Sequence, residues 1–303
     1  ERLMPFDRVA IIGLGLIGSS IARAIAVRLP DTTVTGHDAS AEVRDQARAL
    51  GLCPSIADDP AAAVAGADLV ILAVPVGRMA DAAAAIGPGL KAGAIVSDVG
   101  SSKAGVADAL ARALPDHVVI PAHPVAGTEN SGPAAGFATL FEGRWCIVTP
   151  AADAPSEAVA ALSAFWEALG AKVDVMDAAH HDMVLAVTSH LPHLIAYTIV
   201  GTASELEEVT ESEVIKYSAG GFRDFTRIAA SDPVMWRDVF LANKDAVLAT
   251  LQRFNEDLTV LQQAIRRGDA DKLEDWFTRT RAIRRSIIEQ GQDDAAPDFG
   301  RKH

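Results

Sequence analysis

The feature that most constrains this chain is the turn Gly13–Leu14–Gly15–Leu16–Ile17–Gly18, a Gly-x-Gly-x-x-Gly pattern. It follows an apolar run, Arg8–Gly13, and opens a helical repeat in which Ile17, Ile21, Ile25 and Leu29 recur every four residues. A strand that passes through three glycines into a helix is half of a dinucleotide-binding unit. Gly13 permits the tight turn, Gly15 lets a pyrophosphate reach the backbone, and Gly18 lets the helix close onto the strand. The helix start at Leu16 and Ile17 then offers unpaired amide N–H groups to the phosphates. Asp38 ends the next apolar run, twenty residues beyond Gly18. A carboxylate there bonds a ribose 2′-hydroxyl and repels a 2′-phosphate. Ala39 and Ser40 follow it, and Arg44 is the nearest arginine. NAD is therefore the expected cofactor, with NADP disfavoured.

The pattern continues as alternating strands and helices. Strand-like runs lie at Arg8–Gly13, Thr33–Asp38, Leu69–Val74, Ala94–Val99, Val118–Ala122, Trp145–Thr149 and Lys172–Met176. Near-continuous apolar strands separated by helices predict a Rossmann-type, doubly wound parallel sheet, an α/β layer buried on both faces. Val74 and Pro75 end one of these runs and are expected to line the cofactor crevice. After Asp177 the strand pattern stops. Val184–Leu206 reads as an apolar helix that Pro192 should kink. Beyond the Gly220–Gly221 break, Val247, Leu251, Phe254, Leu258, Leu261 and Ile265 mark one helix, and Leu273, Trp276, Thr280, Ile283 and Ile287 another. Two heptad-like stripes in succession predict antiparallel packing, and the second apolar face of so narrow a domain predicts a homodimer. The chain of 303 residues thus divides into residues 1–177, dinucleotide-binding, and 178–303, an all-α helical domain for substrate binding and dimerisation.

Charge narrows the partners. With 27 basic against 40 acidic residues, the net charge is −13, and no basic run with interleaved aromatics occurs, so nucleic acid is not an expected partner. Contiguous apolar runs such as Leu69–Val76 fall short of a membrane span, and no signal-peptide pattern opens the chain, so no membrane is expected either. Cys53 and Cys146 form no Cys-x-x-Cys pair, which fits a reducing cytoplasm, the expected location.

Two further segments end strands on the crevice edge: Asp98–Val99–Gly100–Ser101–Ser102–Lys103 and Ala122 to Gly132, which contains His123 and Glu129. Oxidising a hydroxyl by hydride loss requires a base for the hydroxyl proton, and a histidine suits this near neutral pH. His123 is placed for it, with Ser101 able to share the hydrogen bond. Taken singly, each has a plainer reading: His123 as a packing or capping histidine, Ser101 as a helix N-cap, Lys103 as a solvated first-turn lysine. The helical half adds His190, His193, Arg223 and Arg227. His190 and His193, with His180, His181 or Asp182, admit a zinc reading, but no His-Glu-x-x-His pattern occurs and hydride transfer to NAD needs no metal, so none is expected. Two arginines four apart suit a dicarboxylate. For Arg223 an ion pair with Asp224 or Asp232 is the simpler account.

Together, Asp98–Lys103, His123–Gly132, Thr188–His193 and Gly220–Trp236 resemble the prephenate/arogenate (cyclohexadienyl) dehydrogenase family of tyrosine biosynthesis, over roughly residues 7–290. The resemblance implies oxidative decarboxylation of a cyclohexadienyl ring. In that scheme His123 accepts the hydroxyl proton, and Ser101 holds His123 and the hydroxyl beside the cofactor. Arg227 grips a substrate carboxylate and His193 helps bind substrate. His190 and His181 line the pocket, Trp236 and Gly220 border it, and Glu129 stands at its entrance. Outside residues 7–290 the sequence offers no room for a fused mutase or regulatory domain, so tyrosine feedback is expected to act at the active site itself. Two alternatives remain. A 3-hydroxyacid-type dehydrogenase would place a lysine where His190 and His193 stand. A non-catalytic NAD-sensing dimer would have a damaged His123–Ser101–Arg227 set.

Overall fold

The computed structural model describes residues 6–128, 130–205, 213, 216, 217 and 220–289. Six parallel strands form the main sheet: β1 (Arg8–Ile12), β2 (Thr33–His37), β3 (Ser55–Ile56), β4 (Leu69–Leu72), β5 (Ile95–Asp98) and β6 (Val118–Val119), in the order β3-β2-β1-β4-β5-β6. Between them run α1 (Leu16–Arg28), α2 (Ala41–Ala49), α3 (Pro60–Val64), α4 (Met79–Ile86) and α5 (Ala104–Ala113). Alternation along β1 shows why helices cover both faces. Val9 and Ile11 join one core with Ile21, Ile25, Phe165 and Trp166, whereas Ala10 and Ile12 join another with Val70, Met79 and Leu110. The strand order reverses between β1 and β4. The crevice beyond their carboxyl ends is where such sheets bind dinucleotides.

The parallel sheet is smaller than the sequence pattern suggests, because the run Val118–Ala122 splits at Pro121. Ile120 N–H still bonds the carbonyl of Val96. Pro121 has no N–H to continue the ladder, and its carbonyl instead accepts the N–H of Thr149. The chain turns into β7 (Ala122–Pro124), which pairs antiparallel with β8 (Trp145–Val148), itself parallel to β9 (Lys172–Val175). His123 therefore lies within a second, three-stranded sheet, opposite Ile147. The two-residue β3 was not anticipated; it is too short to show periodicity. Between β8 and β9, α6 (Ser156–Ala168) supplies Phe165 and Trp166 to the core.

No strand follows β9 among the described residues. Asp177 caps α7 (Ala178–Leu185) by accepting the N–H groups of Ala179 and His180. The helix then passes through a π segment, Ala186–His190, into α8 (Leu191–Glu205). Pro192, expected to kink the helix, sits just after that segment. Leu191 N–H reaches back five residues to Ala186, which absorbs the irregularity within a wider turn. One helical run, Ala178–Glu205, is long and apolar enough by length and composition to cross a membrane, which the shorter contiguous runs had concealed. Its inner face carries the buried polar residues His181, Asp182 and His190. α9 (Gly220–Thr226) and α10 (Pro233–Ala242) follow, the latter capped by Asp232.

Two compact units result, Glu1–Val247 and Leu248–His303. α11 (Lys244–Arg267) begins in the first and runs through the second, where α12 (Ala270–Glu289) follows. In the second unit Leu258, Ile265, Phe277, Ile283 and Ile287 are all exposed.

Candidate active site

All the candidate site residues belong to the first unit. The glycine turn is built as its pattern requires. Gly13 has φ +100°, and a Cβ there would stand 2.3 Å from the carbonyl oxygen of Ala73. A Cβ on Gly18 would stand 1.9 Å from the carbonyl oxygen of Gly13. These two glycines hold β1, β4 and α1 together. Gly15 differs: a Cβ there meets nothing within 4 Å, so its backbone faces the open space a diphosphate requires. α1 starts with no side-chain cap and no acid in its first turn, leaving the first amides, at Leu16 and Ile17, to an anion. Asp38 is half-buried and ties this turn to the end of β2. Its Oδ2 accepts the N–H of Leu14 at 2.9 Å and its Oδ1 that of Ser40 at 2.9 Å. Each oxygen keeps a lone pair for a ribose hydroxyl. Arg44 lies alongside, donating to the carbonyls of Asp38 and Ala39 and to Asp58. Val74 and Pro75 follow β4, with a Val74 methyl 3.1 Å from the Cβ position at Gly13.

Beneath the crevice lies a buried ion pair that the sequence did not disclose. Lys103, read as a candidate solvated lysine, has no exposed surface. Its Nζ donates to Asp98 Oδ2 at 2.5 Å and to the carbonyl of Ala122 at 2.8 Å. Asp98 also accepts the N–H groups of Gly100 and Ala122. Burial pushes the Asp98 carboxyl up and the Lys103 ammonium down, and each charge draws the other back. The pair joins the end of β5 to the start of β7, one residue before His123. Ser101, half-buried, caps no helix and has no hydrogen-bond partner among the described residues.

His123 is 8% exposed. Its Nδ1 lies 2.8 Å from Nε2 of His181, and Nδ1 of His181 lies 2.9 Å from Oδ1 of Asp182. Its Nε2 has no partner among the described residues. Burial, then the neighbouring His181, Lys103 and His190, hold His123 well below the ordinary histidine range, so it is an uncharged imidazole at neutral pH. Asp182 caps α5 from 79 and 78 residues away, accepting the N–H groups of Lys103 at 2.7 Å and Ala104 at 3.0 Å. Burial raises its carboxyl, but the His181 bond and these two amides outweigh that and lower it.

His190 and His193 follow from the π segment. Asn243 Nδ2 donates to His190 Nδ1 at 3.1 Å and to the carbonyl of Asp182 at 2.8 Å. This leaves His190 Nε2 as a sealed donor without a partner. Burial pushes His190 down to about 4. His193 donates through Nδ1 to the carbonyl of Ser189 and stacks on Trp236, with ring centroids 3.6 Å apart. Trp236 is buried with its Nε1–H unpartnered. Arg227 is exposed and close enough to His193 to depress it, and it forms no ion pair among the described residues. Neither does Arg223. Gly220 opens α9 on an exposed face. Glu129 lies outside the described residues. From the sequence alone His181 is pocket lining or, with Asp182, a remote metal option. The adjacent His-Asp pair behind an N-capped helix start was the available signal, but only folding brings it to His123.

The model for "Prephenate dehydrogenase, nucleotide-binding domain" matches residues 21–175, and that for "Prephenate dehydrogenase, dimerization domain" matches residues 177–279. The chain is 48% identical to the cyclohexadienyl dehydrogenase of Zymomonas mobilis, over 93% of this chain and 96% of that one. It is 34% identical to the prephenate dehydrogenase of Bacillus subtilis, over 97% of this chain and 79% of that one. The crystal structure of prephenate dehydrogenase from Aquifex aeolicus, in complex with hydroxyphenyl propionate and NAD+, superposes with a TM-score of 0.86 at 32% identity, over 93% of this chain and 98% of that one. The chain belongs to the prephenate dehydrogenase family.

Proposed function

We propose that this enzyme carries out the NAD-dependent oxidative decarboxylation of prephenate, arogenate or both, giving 4-hydroxyphenylpyruvate or tyrosine. The observation that carries the reading is His123, a buried and uncharged imidazole with Nδ1 engaged and Nε2 free. That is the state a general base needs before the reaction.

NAD supplies the acceptor for the hydride lost from ring C4. Gly13, Gly15, Leu16, Ile17 and Gly18 hold its diphosphate, Asp38 its ribose, and Val74, Pro75 and Ser101 the nicotinamide side. Arg44 is committed to Asp58 and two carbonyls, and this favours NAD over NADP. His123 Nε2 takes the C4 hydroxyl proton while carbon dioxide leaves C1 and the ring becomes aromatic. Aromatisation drives the step, so the protein's task is orientation. Arg227 binds a substrate carboxylate. His193, stacked on Trp236, shapes the pocket, with His190 buried behind it. Ser101, Gly220 and Glu129 complete the proposed site.

In this reading residues 1–177 bind the dinucleotide and residues 178–303 bind substrate and dimerise. The exposed apolar side chains of Val187, Ile199, Val200, Leu258, Ile265 and Phe277 support a homodimer, which would also cover the apolar helix Ala178–Glu205. Cys53 and Cys146 are free thiols, as suits the cytoplasm. The deciding experiment supplies prephenate and arogenate, each with NAD and with NADP, and follows absorbance of the reduced cofactor. Turnover with NAD is expected for at least one of the two, and its absence with both overturns the reading.

A further inference from the structure

His123 is the outer member of a buried row. Asp182, His181 and His123 are linked by contacts of 2.9 and 2.8 Å, and His181 has no exposed surface, so water competes for neither of its nitrogens. The donor and acceptor roles follow from the inner end. Asp182 accepts two α5 amides, and the positive end of that helix holds it as a carboxylate. A carboxylate only accepts, so Nδ1 of His181 carries the hydrogen. If that is the only hydrogen on its ring nitrogens, His181 offers a lone pair at Nε2, and Nδ1 of His123 donates to it. The remaining lone pair of His123 is on Nε2.

We propose that His181 and Asp182 are positioning residues that set the tautomer of His123 and stabilise the cation it becomes. The proposal rests on His123 being the base. When the substrate's O–H bond breaks, its proton forms a bond to His123 Nε2, and the imidazolium keeps its Nδ1–H on His181. Asp182, the carboxylate at the inner end of the row, is the anion that offsets the charge His123 gains, against the burial and the neighbouring His181, Lys103 and His190 that disfavour it. Asn243 steadies the row by bonding the carbonyl of Asp182.

Histidine-selective 15N NMR on the intact enzyme tests the tautomer directly, with H123N assigning the signal. Hydrogen on Nδ1 of His123 is the expected result, and hydrogen on Nε2 in the wild type overturns the proposal whatever the variants do. H181F removes the acceptor and is expected to lower kcat by about a hundredfold or more. In H181Q the amide oxygen accepts from His123 and the amide N–H donates to Asp182, so it should recover most of that loss. D182N should move the acid limb of the kcat/KM profile to lower pH, because an anion that supports protonated His123 is gone. Folded H181F with a kcat within about threefold of the wild type, or an unmoved limb in D182N, refutes the role. If H123N itself stays active, the reading of His123 as base has failed; if H123N is inactive and these variants are not, only the positioning role has.

Discussion

Replacing Lys103 by methionine strands Asp98 in the interior. Methionine has a similar length but no donors, so Asp98 keeps its two amide bonds and loses its only countercharge among the described residues. Both partners have 0% exposed side chains, so no surface screening softens the loss. Removing one member of such a pair costs about 3–5 kcal/mol, a large share of the roughly 5–15 kcal/mol that holds a domain folded. At about 2–4 °C per kcal/mol for a unit of this size, Tm should fall by about 6–20 °C. The pH dependence has a definite sign. Burial raises the Asp98 carboxyl and the Lys103 charge opposes it; without the lysine, its folded pKa climbs further above the unfolded value. A group raised in this way stabilises the fold when protonated and loses that contribution as pH rises through the folded pKa. The deficit of K103M should therefore be widest at neutral pH and narrow in acid. D98N/K103M, which removes the stranded charge and keeps an amide oxygen for one N–H, should regain more than half of it. Thermal melts followed by circular dichroism at about pH 7 and about pH 5 read all three variants. A K103M melt within about 2 °C of the wild type, or a deficit equal at both pH values, would refute the reasoning.

Arg227→Ala should raise KM for the cyclohexadienyl substrate by about 10–100-fold, the worth of a charge-assisted bond, with a smaller effect on kcat; an unchanged KM removes Arg227 from carboxylate binding. The two glycines should separate binding from folding. Gly15→Ala, with nothing within 4 Å of the new methyl, should weaken NAD by about tenfold or more in calorimetry without lowering Tm. Gly18→Ala, whose methyl would stand 1.9 Å from the Gly13 carbonyl oxygen, should cost about 1–3 kcal/mol of stability. The reverse pattern would contradict the assignment. In the free enzyme the acid limb of kcat/KM is expected below 6.5, because burial and the neighbouring His181, Lys103 and His190 disfavour protonated His123. A limb at or above 6.5 would show that His123 is not the titrating base.

The residues differ in how openly they announce themselves. Gly13, Gly15, Gly18 and Asp38 could be read directly, because a tight strand-to-helix turn is a local stereochemical demand and few residue types meet it. The doubly wound sheet was legible for a similar reason: a strand buried on both faces must be apolar at nearly every position. The departure of β7 from the sheet was written at Pro121 but was masked by the apolar run around it. Pro192 correctly marked an irregular helix, but not that the helix would answer with a π turn and so set the register of His190 and His193.

The sequence by itself determined that this chain binds a dinucleotide, since that site is built from neighbours along the chain. Only the tertiary structure decided what surrounds the proposed base. Lys103 becomes a buried cation only because β5, α5 and β7 close around it. His123 acquires its partners from a helix 58 residues further on. A hydrogen bond or a lost hydration shell depends on which groups meet in space, and hydrophobic periodicity carries no record of that.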